Sequence, residues 1–303
     1  MFADMEDFLV VALAGFAASL VDGALGMGFG PTSSSILLSA GLSPASASTT
    51  VNLAKIVTGV LGGAAHWRAG NVDRRLVLRL ALPGAVGALI GTLILVTVDG
   101  DALRPVLAVV LLVVGLRILL RFSLPLPMQP DVEPDATASS EVPDVTGVEA
   151  AGTAGGVTNG LVGAWGPVVT PFLLHKGLAP RFAVGSVNTA EVAVATAAAT
   201  SLVASLGGEG LDLSILLAML LGGAVAAPLA AVAVRWLPPR ALGLAVAGLL
   251  LLTQVRELAG TADLGPTRWV AYSGVLAALA AAAAAPRVRR AVSARRAAVT
   301  AAG

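Results

Sequence analysis

Two ionisable residues stand where water cannot reach them by any short path. Lys55, in Asn-Leu-Ala-Lys-Ile-Val, and Glu191, in Asn-Thr-Ala-Glu-Val-Ala, each lie roughly ten residues inside an apolar stretch. A charge at the centre of a bilayer costs about 2.5–3.5 kcal/mol even on the lenient insertion scale. Neither residue is therefore expected to face lipid. They form a structural ion pair, or each snorkels to an interface, or they serve a solute, with Lys55 as the one buried cation and Glu191 as a gate. Asn52 and Asn188 precede them by three residues, so each amide shares a helix face with its charge. Such an amide lines a site or bridges two helices.

The second chemical signal is a pair of glycine–proline breaks. Glycines at 23, 26, 28 and 30 precede Pro31, and Gly166 precedes Pro167. Glycine leaves helical geometry at little cost, and proline suits the first position of a new helix. A helix starting at Pro31 would expose free N–H groups near Thr32, Ser33 and Ser34 at its positive end, a ready anion site. Residues 31–40 span only about 15 Å, so that end would lie deep in the membrane. Gly166-Pro167 makes a matching terminus with Val168, Val169 and Thr170. The bland reading is that these glycines only allow close helix packing. The candidate binding set is Gly30, Thr32, Ser33, Asn52, Lys55, Gly166, Val168 and Asn188, with Glu191 and Asp22 as candidates for charge gating. Asp22 ends the first apolar run, where it carries a coupling proton or marks the inner interface. Trp165 walls the site or packs. His66, beside Trp67 and Arg68, reads as an interfacial anchor, and His175 with Lys176 as loop residues.

The elements that must position these residues are membrane helices. Of 303 residues, 56% are hydrophobic and 12% charged, with mean hydropathy +0.88. A soluble domain averages about 25% charged residues. Eleven apolar segments are predicted, at about 8–22, 24–40, 45–66, 76–97, 102–120, 149–163, 165–175, 183–206, 212–234, 240–257 and 268–285. Segments 1, 2, 6 and 7 are short and interrupted, so they are broken crossings or re-entrant hairpins. The acidic start MFADMED is unlike a secretory signal, so the first helix is expected to stay.

With the N-terminus outside and every segment crossing, fifteen of the nineteen Lys/Arg fall inside. Arg104, Arg256 and Arg268 fall outside, and Lys55 is within a segment. This is the bias that sets orientation. It puts the Pro/Ser/acid-rich linker 122–148 and the basic tail after Pro286 in the cytoplasm.

The sequence also repeats. A shift of 136 residues lays Gly30-Pro31 on Gly166-Pro167, Gly41-Leu42 on Gly177-Leu178, Pro44 on Pro180 and Val51-Asn52 on Val187-Asn188. Three inserted residues then bring Asp73 onto Asp212. The halves start on opposite sides, so the repeats are read as inverted, meeting at a site near the midplane. The implied division is 1–121 as first repeat, 122–148 as linker, 149–258 as second repeat, and 259–303 as an extra helix with the tail.

Residues 23–55, GALGMGFGPTSSSILLSAGLSPASASTTVNLAK, and 160–191, GLVGAWGPVVTPFLLHKGLAPRFAVGSVNTAE, carry a resemblance. Each has a glycine-rich stretch closed by proline, a Gly-Leu-x-Pro turn and a small-residue helix. In this the chain resembles the TauE/SafE family, the sulfite-exporter-like anion permeases, over roughly 8–120 and 149–258. Met27 and Phe29, then Ala164 and Trp165, interrupt the family's runs of glycine. The resemblance implies transport of sulfite, organosulfonates or a related small anion across the inner membrane.

Other classes fit less well. No cysteine is present and the two histidines are far apart, so no metal or other cofactor is expected. There is no HExxH, GxSxG or Walker A motif, which argues against an intramembrane enzyme and against ATP hydrolysis by this chain. The net charge of +1 implies no nucleic-acid partner. A small anion, with or without a coupling proton, and the lipid bilayer are the expected partners. The alternatives are a permease for another solute and, after it, an intramembrane enzyme or assembly factor.

Overall fold

The computed structural model describes residues 5–25, 27–123, 145–207, 212–233, 239–263 and 265–301. Among them are eleven α-helices, a short 3₁₀ turn and no strand. The helices are α1 (Met5–Leu25), α2 (Phe29–Ser39), α3 (Pro44–Arg68), α4 (Arg74–Thr97), α5 (Gly100–Ser123), α6 (Val148–Val162), α7 (Gly166–His175), α8 (Pro180–Leu206), α9 (Leu213–Ala233), α10 (Pro239–Thr261) and α11 (Arg268–Ala301). Five are long and apolar enough to cross a membrane: α4, α5, α8, α10 and the apolar part of α11. The fold is the all-α polytopic membrane class that the composition predicts. α3 has 25 residues, but its Ser, Thr, Asn and Lys content keeps it out of that set. α2 and α7 have 11 and 10 residues, about 15–16 Å at 1.5 Å per residue, or half of the hydrocarbon thickness.

Residues that match under the shift do the same local work. Pro44 and Pro180 each open a helix, α3 and α8. Gly41 and Gly177 each turn the chain before it, with φ of +93° and +85°. Asp73 Oδ1 accepts the Leu76 N–H at 2.7 Å and caps α4. Asp212 Oδ1 accepts the Ser214 and Ile215 N–H groups at 2.8 and 3.2 Å and caps α9. Each cap satisfies donors that a helix start would otherwise leave unpaired.

Small residues then set the helix pairing. α4 packs most extensively on α6, and α1 on α9. A Cβ added at Gly156 would overlap the Gly84 carbonyl, and one at Gly160 the Ala88 carbonyl. On the other pair, a Cβ at Gly222 would overlap the Ala12 carbonyl. These backbones touch, which is how helices gain dispersion energy where no water drives them together. Gly152 lies on Leu80, Gly156 on Gly84 and Gly160 on Ala88, so α4 and α6 run in the same sense. Large apolar side chains on the opposite face of α4, among them Leu82, Val86 and Leu93, are exposed.

The half-length helices leave in opposite directions. α7 ends where α4 and α6 begin. There the Phe172 ring lies against Gly147, and Arg79 donates to Glu149 Oε1 at 2.6 Å and to the Val145 carbonyl at 3.1 Å. α2 ends beside the first turn of α5, where Arg104 Nη2 donates to the Leu42 carbonyl at 3.4 Å. The first turn of α5 follows directly on the far end of α4.

One boundary differs from expectation. α11 continues through Pro286 to Ala301, so the basic stretch begins as helix. Alanine and arginine are strong helix formers and carry it past the proline. Residues 124–144, which hold most of the expected linker, lie outside the described residues.

Candidate functional site

The two helix breaks meet. A Cβ added at Gly30 would overlap the carbonyl of Gly163, and Ser34 Oγ donates to the Val162 carbonyl at 2.9 Å. Gly28 and Gly163 hold φ of +153° and +67°, conformations that a side chain would resist. The start of α2 is thus pressed on the end of α6, and α7 begins three residues after Gly163.

Lys55 is at this junction and is 4% exposed. Its Nζ donates to Asn159 Oδ1 and to the Gly163 carbonyl, both at 2.7 Å, and pairs with Glu191 Oε1. An ammonium has three donors, and all three are engaged. Asn159 Nδ2 donates in turn to Asn52 Oδ1 at 2.7 Å. Asn52 Nδ2 reaches the Ser48 carbonyl at 2.9 Å, and Ser48 Oγ donates to the Gly160 carbonyl at 2.6 Å. Lys55 and Glu191, which the sequence places at matching positions, are therefore in contact across α3 and α8.

Asp22 belongs to the same centre. Its Oδ1 accepts the Phe29 N–H at 3.2 Å, at the start of α2. The fold of α1 against α2 thus brings Asp22 to the first break.

The expected free amides are also corrected. α2 begins at Phe29, not Pro31, so the Thr32 N–H already donates to the Gly28 carbonyl at 3.1 Å. Proline fits anywhere in a first turn, because the N–H it lacks would have had no helical acceptor. At the second break the Val168 and Val169 N–H groups both point at the Trp165 carbonyl at 3.1 Å. Buried hydroxyls at both breaks are unpaired. Thr32 Oγ1, Ser33 Oγ and Thr170 Oγ1 are buried with no protein partner, and all three lie in the first half of α2 or α7. Gly166 is buried; Val168 and Asn188 are half-buried.

Trp165 packs. It is fully buried, its Nε1 donates to the Val187 carbonyl at 3.0 Å, and its ring fills the space beside Gly84 and Gly155.

Two residues were not foreseen. Asn159 joins Lys55 to Asn52 but falls on Gly23 under the repeat shift, so the repeat pointed away from it. Arg121, read as a loop charge, is half-buried at the end of α5, with Nη1 3.4 Å from Sδ of Met27 in the first break. Lys55 is the one fully buried cation among the described residues, and Arg121 adds a half-buried one. Among the described residues, no cluster of His, Asp and Glu could hold a metal ion.

The model of the family described as Sulfite exporter TauE/SafE matches residues 11–257. The chain belongs to the TauE/SafE family. It is also 36% identical over 273 residues to the probable membrane transporter protein YtnM of Bacillus subtilis (strain 168), a match that covers 89% of this chain and 87% of that one. No solved structure matches. The TauE/SafE match spans α1 to α10 and leaves α11 outside. The protein is a multi-pass membrane transporter and not an enzyme.

Proposed function

We propose that the chain is a secondary permease for a small sulfur oxyanion, sulfite or an organosulfonate, working by alternating access. The observation that carries this reading is the junction itself. Two half-length helices begin at touching breaks, with a buried lysine at the contact and unpaired hydroxyls in their opening turns. Thr32, Ser33 and Thr170 supply donors, and Lys55 supplies charge. The positive ends of α2 and α7 add to that field. The family name adds the substrate class.

In this reading α1–α5 and α6–α10 are inverted repeats around a fixed site. The equivalent caps, turns and prolines support the repeat, and the opposite departures of α2 and α7 support the inversion. Lys55 is latched by Glu191, Asn159 and the Gly163 carbonyl. An arriving anion takes the place of Glu191 on Lys55, or binds as Glu191 accepts a proton; Asp22, at the first break, is a second carboxylate that could take part. Either route couples occupancy to charge. The bias of Lys/Arg puts the start of α4 in the cytoplasm and the start of α5 outside, in the inner membrane.

Purified protein in liposomes, tested against sulfite, small sulfonates, sulfate, small carboxylates and alkali cations, should pass sulfite or a sulfonate. Flux of cations alone, or of none of the panel, would refute the reading.

A further inference from the structure

We propose that Arg121 is a substrate-binding residue, the cation that first holds the anion on its way to the junction from the face where α5 ends. The inference rests on the anion-permease reading and adds to it the residue that receives the substrate.

The argument starts from Lys55. Its three donors are spent on Asn159, Gly163 and Glu191, so an arriving anion finds no free donor there. Arg121 is the reverse case. A guanidinium carries five donors. Among the described residues its contacts are one Nη1 approach to the Met27 thioether, a weak acceptor, and the ring of Phe122 at 5.8 Å. No carboxylate among the described residues pairs with it. By contrast Arg79 holds Glu149, and Arg104 lies by Asp101 and Glu257.

Its placement is also specific. Met27 is 3% exposed and lies two residues before the start of α2. Arg121 is on the last turn of α5, seventeen residues after Arg104, or about 26 Å along the helix. α2 covers only about 16 Å from the same end. The Arg121 side chain nevertheless reaches the break, at Met27. Arg117, one turn earlier, is exposed instead.

The chemistry fits an oxyanion. The planar fork of arginine binds two oxygens of a sulfite or sulfonate group at once, and it is more weakly hydrated than an ammonium. Partial burial strengthens that attraction over its value in water. A thioether surrenders such a donor easily. The anion then passes to Thr32 and Ser33, and Lys55 is released from Glu191.

Titration calorimetry of purified full-length protein with sodium sulfite tests this. Arg121→Met should weaken sulfite binding at least tenfold, with Arg121→Lys between it and wild type. Arg117→Met, which removes the same charge from the same end, should stay within twofold. Arg121→Gln keeps a donor for Met27 without charge and replaces Arg121→Met should that variant not insert. Unchanged affinity in Arg121→Met or Arg121→Gln, or an equal loss in Arg117→Met, would overturn the assignment while leaving the permease reading standing. Wild-type protein that binds neither sulfite nor a sulfonate would overturn both.

Discussion

Lys55 and Glu191 were legible at the residue scale because burial makes an uncompensated charge so costly that two of them in apolar helices had to find each other. Their contact is seen, but a contact does not say whether it serves the fold or the solute. Substitution separates the two. Breaking a buried pair on one side typically costs about 3–5 kcal/mol, so both Lys55→Met and Glu191→Met should lower the melting temperature. The double variant Lys55→Met/Glu191→Met should recover stability. On the permease reading it should not recover sulfite flux, because the charge that holds the anion at the junction is gone. Full flux in the double variant would return the pair to a structural role. Glu191→Gln should keep binding and flatten the pH dependence of flux in liposomes, since the group facing Lys55 and Asp22 no longer takes a proton. Asn159 shows the limit of the same reasoning. A neutral amide in a glycine-rich helix breaks no electrostatic rule, and only the fold reveals that it ties Lys55 to Asn52.

Elements were read from glycine and proline, and there the sequence spoke with one ambiguity. The same residue type marks a helix break at Gly28 and Gly163 and a helix contact at Gly84, Gly156 and Gly160. Periodicity cannot tell these apart, because both need a missing side chain, one for conformation and the other for space. Their failures should differ. Gly156→Val pushes two methyl groups into the Gly84 carbonyl, and overpacking of this kind costs about 1–3 kcal/mol or more. It should reduce the amount of inserted, folded protein, measured by fluorescence-detected size exclusion. Gly30→Val meets the Gly163 carbonyl inside the junction. That contact is as close as the one at Gly156, so the folded yield should fall as well. The Gly30→Val protein that does insert should lose sulfite flux at least tenfold per molecule in liposomes, where inserted Gly156→Val should not. Normal flux in Gly30→Val would make the first break a packing device like the second kind. The start of α2 was misplaced by two residues because Pro31 is compatible with any position in a first turn.

For the whole molecule, the distribution of charge gives an orientation that geometry alone does not. The turn between α3 and α4 carries Ala69 at one end of α4, and Asp101 stands past the other end; both are exposed. α4 has 24 residues, about 36 Å, so these two positions lie on opposite sides of any bilayer the helix crosses. Arg68, Arg74, Arg75 and Arg79 crowd the Ala69 end, whereas Arg104 stands near Asp101. Arginines beside a membrane crossing are retained on the cytoplasmic side. The chain has no cysteine, so single introduced thiols report without background. In intact cells a membrane-impermeant maleimide should label Asp101→Cys and leave Ala69→Cys unlabelled until the membrane is opened. Lys176→Cys, in the exposed turn after α7, should behave like Ala69→Cys, because α7 ends beside the starts of α4 and α6. Labelling of Ala69→Cys and Lys176→Cys from outside, with Asp101→Cys protected, would reverse the orientation and make the Arg121 face the outer one. Labelling of Lys176→Cys on the side opposite to Ala69→Cys would instead refute the opposite departures of α2 and α7, and with them the inverted arrangement on which alternating access depends.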